Sequence, residues 1–480
     1  MQNGKVQSSV RWSFISEISV KFIVPITNML LARILTPEAF GVIAVCNMLV
    51  SFVDIITEAG FGKYIVQKDF NSRKQEIQYV NVSFWTNLMV SLFLTSMIIL
   101  FRYQLAEFLG NLSYARVLAV ASLQLLITSF SSIQIALFRR EFAYKKLFYA
   151  RICVSLFPLV VTVPLALLLK SYWALVIGNL AGAFINSLIL TLLSKWRPRL
   201  YYSFEVLKEM FSYSFWSLCE ALANWMIFWI DTFIVGNFFN DYYLGLYKNA
   251  TNMVQSVMGM IAAAISPVLL STLSRLKHSR KQFEKAYFNL LNLVLYLAVP
   301  MGVGMFLYRE TATLILFGEQ WTEAANIVGS WALMMLTSII FYTFPAEIYK
   351  SMGIPKWLFF FQSIYLVCLI PLCYIAARRG FWSMVYTRCL AVIIQAIVSM
   401  LFLRKIFHFH TVNYFVAMIR PGLATLAMIA VSLLLKPMLS GLLGDLLAIA
   451  CCALVYSCIL LVFDKHHIQD VWQGIRLTKV

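Results

Sequence analysis

Apolar residues run in stretches of about 20, the length of a membrane-crossing helix, and these stretches recur along the whole chain between short polar gaps. The pattern predicts fourteen spans, near residues 11–35, 40–62, 77–101, 113–137, 147–169, 172–194, 210–237, 243–272, 286–308, 324–346, 357–377, 382–403, 414–435 and 443–463. An even number of crossings leaves both termini on one side. The expected fold class is an all-α polytopic membrane protein. The start, MQNGKVQSSVRW, is polar, and Glu17 and Lys21 interrupt the first apolar run. A secretory signal core would not carry them, so the first span is expected to be retained.

Composition sharpens this reading. Of 480 residues 61% are hydrophobic and 12% charged, where soluble domains carry about 25% charged residues. An ordinary water-soluble enzyme is excluded. The net charge of +18 would suggest nucleic acid as a partner if the Lys and Arg formed one patch, but they lie in alternate gaps. Lys63, Lys68, Arg73 and Lys74 share one gap; Arg139, Arg140, Lys145 and Lys146 the next but one; Lys195, Arg197 and Arg199 another. About 28 of the 39 Lys and Arg fall on that side and about nine on the other, which places both termini in the cytoplasm and leaves no nucleic-acid partner.

The gaps hold no nucleotide-binding domain, and the chain has no GxxxxGK[ST], HExxH or CxxC motif. Nine cysteines lie mostly inside apolar runs with no metal-ligand spacing. The five histidines fall in cytoplasmic loops, where a solvated role is the ordinary one. No cofactor or metal is expected.

The halves resemble one another. Trp12 to Glu17 aligns with Phe215 to Glu220, and Leu35 to Gly41 with Phe239 to Gly245. Six helices separate the copies, so they enter the membrane in the same direction, related by a pseudo-twofold along the membrane normal. The expected organisation is an N-lobe over 1–200 (spans 1–6), a C-lobe over 201–404 (spans 7–12), and spans 13–14 with a cytoplasmic tail over 405–480.

Charges inside spans carry the chemistry. Each costs roughly 2.5 to 3.5 kcal/mol at a helix centre on insertion scales, so they are expected to face a wet or paired interior. Span 1 sets Glu17 and Lys21 on one face that continues to Asn28, with Pro25 predicting a bend that could act as a gate. Span 2 carries Asn47, Ser51, Asp54 and Glu58 as one stripe; span 7 carries Glu220, Asn224 and Asp231; span 8 carries Lys248, Asn252 and Gln255. These are corresponding helices of the two halves, as expected if both wall one cavity. The bland readings stand beside this one. Glu17 and Lys21 can be a local ion pair, Asp54 and Glu58 can be interfacial, and Arg388 in span 12 can be structural.

The stretches ARILTPEAFG at 32–41, EAGFGKYIVQKD at 58–69 and DTFIVGNFF at 231–239 resemble the polysaccharide transporter family, which includes Wzx-type flippases, of the multidrug/oligosaccharidyl-lipid/polysaccharide exporter superfamily. Asn237 follows Gly236 where the family pattern has an Arg. The resemblance implies a transporter, not an enzyme. Its task would be to move an undecaprenyl-diphosphate-linked oligosaccharide repeat unit from the cytoplasmic to the periplasmic leaflet by alternating access, for O-antigen, lipopolysaccharide or exopolysaccharide synthesis. It further implies a bacterial cytoplasmic (inner) membrane location, a functional monomer, membrane lipids and lipid-linked oligosaccharide as partners, and a neighbouring polymerase machinery. Spans 13 and 14 would line a groove for the polyprenyl tail. Lys21, Arg33 and Lys248 are the candidates for the diphosphate. Asp231, Glu220 and Glu17 are the candidates for coupling to Na+ or H+, and Asn28, Asn47, Asp54, Glu58, Asn224, Asn252, Gln255 and Trp225 are the candidates for a polar cavity wall. The alternatives are a cation-coupled exporter of amphipathic drugs, which usually has twelve spans, and an intramembrane glycosyl polymerase, which would need a large outer loop.

Overall fold

The computed structural model describes the backbone of residues 2–58, 61–407, 409, 412–439 and 441–477, and their side chains apart from 2–11, 13–18, 57–58, 212–214, 216–217, 220, 355–356 and 463–477. All described regular structure is helical. Among the described residues thirteen helices are long and apolar enough to cross a membrane, and they coincide with predicted spans 2 to 14. The region of span 1 forms one helix, Gln2–Ile34, that runs through Pro25. The protein is a multi-pass membrane protein. Its surface carries many exposed large apolar side chains, such as Leu168 at 81% and Leu443 at 77% exposure, as suits contact with lipid.

Residues 1–249 and 250–480 form two compact units. The first holds α1 (Gln2–Ile34), α2 (Pro37–Glu58), a short α3 (Phe61–Gln67), α4 (Arg73–Leu100), α5 (Arg102–Phe108), α6 (Tyr114–Arg140), α7 (Tyr144–Val160), α8 (Thr162–Leu169), α9 (Trp173–Leu193), α10 (Phe204–Phe238) and the start of α11 (Asp241–Leu276). Their ends follow local chemistry. Ser72 caps α4 by accepting from the Gln75 amide at 3.2 Å, and Pro37 opens α2 where no amide hydrogen is needed. The central α6 packs on α9, α4, α3 and α2, while α1 lies on α7 and α8. The segment between α9 and α10 is strapped to α4: Trp85 Nε1 donates to the Arg199 carbonyl at 2.9 Å and the Arg199 amide to Asn81 Oδ1 at 3.1 Å.

At the end of this unit away from the basic gaps, α2 and α11 cross at their first turns with backbone against backbone. A Cβ on Gly41 would lie 2.2 Å from the Asp241 carbonyl oxygen, and one on Gly245 would lie 1.7 Å from the Pro37 carbonyl oxygen. These are the two glycines that the internal repeat aligns. Without a water-driven hydrophobic effect, helices in lipid associate through close packing that small residues permit. Asp241 is held nearby by Asn111 Nδ2 at 3.1 Å and by the Tyr114 hydroxyl.

The second unit comprises the rest of α11, then α12 (Arg280–Leu307), α13 (Arg309–Phe317), α14 (Ala325–Ser338), α15 (Phe344–Ser351), α16 (Pro355–Ala377), α17 (Phe381–Leu390), α18 (Val392–Phe407), α19 (Val412–Leu435) and α20 (Gly441–Leu477). A π turn, Ile339–Thr343, joins α14 to α15. The last two spans dock on α12. Tyr287 and Tyr414 share a 2.6 Å hydrogen bond, and the Tyr456 hydroxyl donates to the Tyr296 carbonyl at 3.0 Å. Arg388 is buried, donates to the Tyr365 hydroxyl at 3.0 Å and lies over the Trp331 ring, in keeping with a structural role. The expected tail after Phe463 is instead helical to Leu477, so His466 and His467 lie in a helix rather than a loop; no proline follows the apolar segment to stop it.

Candidate functional site

Where α10 turns into α11, the chain folds back through 239–240 and sets two charged residues inside the membrane-spanning part of the first unit. Asp231 is 2% exposed and Lys248 4%. The Asp231 carboxylate accepts from the Thr232 amide at 2.7 Å and the Thr232 hydroxyl at 3.2 Å through Oδ1, and from the Tyr247 hydroxyl at 2.9 Å through Oδ2. Lys248 Nζ lies 3.9 Å from the ring centroids of both Phe228 and Trp229 and donates to the Phe228 carbonyl at 3.3 Å. A buried charge is tolerated only when paired and hydrogen-bonded, and a desolvated ammonium over an aromatic face gains about 2 kcal/mol or more. Both charges thus have built housings.

The polar stripe of α2 meets three neighbours. Trp225 Nε1 on α10 donates to Ser51 Oγ at 3.0 Å, with its ring 4.9 Å from that of Phe52. Thr128 of α6 donates to Asp54 at 3.3 Å, and Asn179 of α9 to the exposed Asn47 at 3.4 Å. Of the remaining candidates, Lys21 and Asn28 are half-buried on α1, Arg33 is exposed at its end, and Asn224 is exposed on α10. Asn252 and Gln255 are half-buried on the part of α11 that belongs to the second unit. The three candidate diphosphate cations therefore occupy three different environments. The side chains of Glu17, Glu58 and Glu220 lie outside the described residues.

At the basic end of the unit, the QKD stretch builds a clasp. α10 has 35 residues, about 50 Å of helix, so its first turns extend past the hydrocarbon and carry Glu209 to α3 and α4. Lys68 forms an ion pair with Glu209, donates to the Tyr64 and Tyr79 hydroxyls at 2.9 Å each, and lies over the Tyr79 ring at 4.1 Å. Tyr64 in turn donates to Glu209 at 2.6 Å. Arg140 ties the same loop by donating to the carbonyls of Ile65 at 2.7 Å and Lys68 at 2.6 Å. The hydrogen bonds from Lys68, then Tyr64 and Tyr79, pull the Glu209 carboxyl down to about 2. Burial followed by the Glu209 bond pushes the Tyr64 hydroxyl up to about 12. For Lys68 burial acts downward, and the bonds to Glu209 and the tyrosines outweigh it, so the amine is raised.

A carboxylate held below its ordinary 4.5 stabilises the fold above that pH, and the contribution is lost as pH falls from 4.5 through about 2. Because Glu209 is half exposed, solvent screening limits this to about 1 kcal/mol. Glu209→Gln is therefore expected to lower the thermal midpoint at pH 7 and to converge with wild type as pH falls from 4.5 towards about 2. Parallel midpoints across that range would remove the ion pair from the account.

Sequence periodicity exposes Asp231 and Lys248 as misfits in apolar helices, but not Tyr247 as the partner of Asp231, because that bond joins two helices, α10 and α11. Lys68 is visible only as one of several loop cations. Its partners Tyr64, Tyr79 and Glu209 come from three helices.

Residues 30–326 match the family described as "polysaccharide biosynthesis protein". Over 329 residues, 68% of this chain and 66% of the relative, the sequence is 27% identical to the succinoglycan biosynthesis transport protein ExoT of Rhizobium meliloti (strain 1021). Over 332 residues, 68% of this chain and 65% of the relative, it is 20% identical to the lipopolysaccharide biosynthesis protein WzxC of Escherichia coli (strain K12). The matched region thus spans just under two thirds of the length of these relatives. Among solved structures, the lipid II flippase MurJ in an inward closed conformation is similar with a TM-score of 0.79 at 15% identity, covering 96% of this chain and 100% of that one, a likeness of fold. With more than half of its length matched, and with the all-helical fold its motifs lead one to expect, the chain belongs to the family described as "polysaccharide biosynthesis protein".

Proposed function

We propose that this transporter moves an undecaprenyl-diphosphate-linked oligosaccharide from the cytoplasmic to the outer leaflet of a bacterial cytoplasmic membrane, with both termini in the cytoplasm. The observation that carries the reading is the housed pair of buried charges, Asp231 and Lys248, in a chain of a polysaccharide biosynthesis family. Sugars and a diphosphate cannot enter hydrocarbon unassisted, whereas the polyprenyl tail stays in lipid throughout, so the protein need supply only a polar route for the head. Intramembrane ionisable groups mark such routes.

In this reading Asp231 exchanges its Thr232 and Tyr247 hydrogen bonds for a bound proton or Na+, and that exchange drives the alternation of access. Lys248 meets the diphosphate once it leaves the faces of Phe228 and Trp229, joined by Lys21 and Arg33 nearer the ends of the path. The protein acts as a monomer that hands its product to a polymerase.

The test uses cells lacking the protein. Glycolipid is expected to accumulate on the cytoplasmic leaflet and to be cleared when wild type is restored. Unchanged glycolipid with altered retention of cationic dyes would instead assign a drug exporter.

A further inference from the structure

Within the first unit, a cavity of about 210 Å³ lies among α2, α3, α4, α6 and α10, apart from the Asp231 housing. Its wall is mostly apolar, including Ile55 and Ala136, but two exposed cations, Lys63 and Arg139, stand on it. Both belong to gaps that the charge asymmetry assigns to the cytoplasmic side. Deeper in the wall are Asn87 and Ser132. Asn87 is 2% exposed; its Nδ2 donates to Ser132 Oγ at 2.5 Å, and its Oδ1 has no hydrogen-bond partner among the described residues. The two ends of an amide exchange by a flip, so in either orientation one buried polar atom of Asn87 is left for whatever enters the cavity.

We infer that this cavity is a binding site for a diphosphate group arriving from the cytoplasmic side. The volume corresponds to about seven waters at their liquid share, room for a hydrated phosphate or a diphosphate. The guanidinium of Arg139 offers paired donors suited to phosphate oxygens, and Lys63 adds a second positive charge. Asn87, turned with its amide nitrogen inward while Ser132 donates to its oxygen, supplies a neutral donor at the floor. The inference rests on the flippase reading for its biological sense: the site would receive the lipid head before the head enters the intramembrane path. The same chemistry could also bind a free diphosphate.

Purified protein in detergent is titrated with farnesyl diphosphate and, separately, with inorganic diphosphate. Saturable binding is expected, weakened about tenfold by Lys63→Gln and about tenfold by Arg139→Gln, with Lys195→Gln, a loop cation outside the cavity wall, leaving it unchanged. Tighter binding of the prenyl compound identifies a lipid head as the occupant, and equal binding identifies the free anion; both support a diphosphate site. Both substituted side chains are exposed, so the variants are expected to fold, and a matched thermal midpoint verifies this. No binding, or binding indifferent to Lys63 and Arg139, overturns the site. Glycolipid clearance in cells is read independently. Normal clearance by wild type alongside indifferent binding would remove this cavity while leaving the flippase reading intact.

Discussion

Asp231→Asn is expected to reduce glycolipid clearance at least tenfold while the protein still inserts and folds. Asparagine keeps the shape of the side chain, and its Oδ1 still accepts from the Thr232 amide and hydroxyl, so the fold loses about 1 kcal/mol from the weaker contacts. What it loses entirely is the negative charge: an amide takes up no proton at physiological pH, and its carbonyl oxygen offers Na+ only a neutral ligand. Asp54→Asn is the comparison. That carboxylate is half-buried and accepts from Thr128 at 3.3 Å, and its replacement is expected to have the smaller effect. Clearance is followed by leaflet-selective labelling of the sugar in spheroplasts, with expression measured in the same cells. An Asp231→Asn protein that clears glycolipid at the wild-type rate would reduce Asp231 to a structural acceptor and send the coupling role elsewhere.

Gly245→Ala is expected to be strongly disruptive, its Cβ meeting the tightest contact among the described glycines. Its Cβ would fall 1.7 Å from the Pro37 carbonyl oxygen and 2.8 Å from the Gly41 amide nitrogen, both backbone atoms with no rotamer through which to retreat. The first turns of α2 and α11 must therefore separate. Overpacking by a methyl in a close-packed core typically costs about 1–3 kcal/mol, and a backbone-on-backbone clash belongs at the upper end. A marked fall in thermal midpoint and loss of clearance are expected for Gly245→Ala, and a similar result for Gly41→Ala, whose Cβ would lie 2.2 Å from the Asp241 carbonyl oxygen. Gly304→Ala, with nothing within 4 Å of its Cβ, is expected to leave both unchanged or to raise stability slightly through helix propensity. Equal midpoints for Gly245→Ala and Gly304→Ala would show that the crossing yields without cost.

The same pair of glycines marks where sequence reading stops. Alignment of Leu35 to Gly41 with Phe239 to Gly245 pairs them as equivalent positions, but nothing in a one-dimensional repeat says that equivalent positions touch. The stripe on α2 teaches the same limit. Helical periodicity places Asn47, Ser51 and Asp54 on one side of the helix, yet each finds its partner on a different neighbour, α9, α10 and α6. Lys63 and Arg139 read in the sequence as two of many topology-setting cations; the cavity between them, and the orphaned amide atom of Asn87 in its wall, exist only once five helices have packed.

By itself the sequence determined the class: long apolar runs can satisfy their backbone hydrogen bonds in lipid only as helices, so span positions and the all-helical fold follow from hydropathy alone. It also determined which residues are anomalous, because Asp231 and Lys248 are costly in lipid wherever the helices go. Only the tertiary structure decided what those residues touch there. Hydrogen bonds and ring faces act over a few ångströms, and the groups that meet Asp231, Lys248 and Lys68 come from positions up to 141 residues away, brought together by packing rather than by any local period.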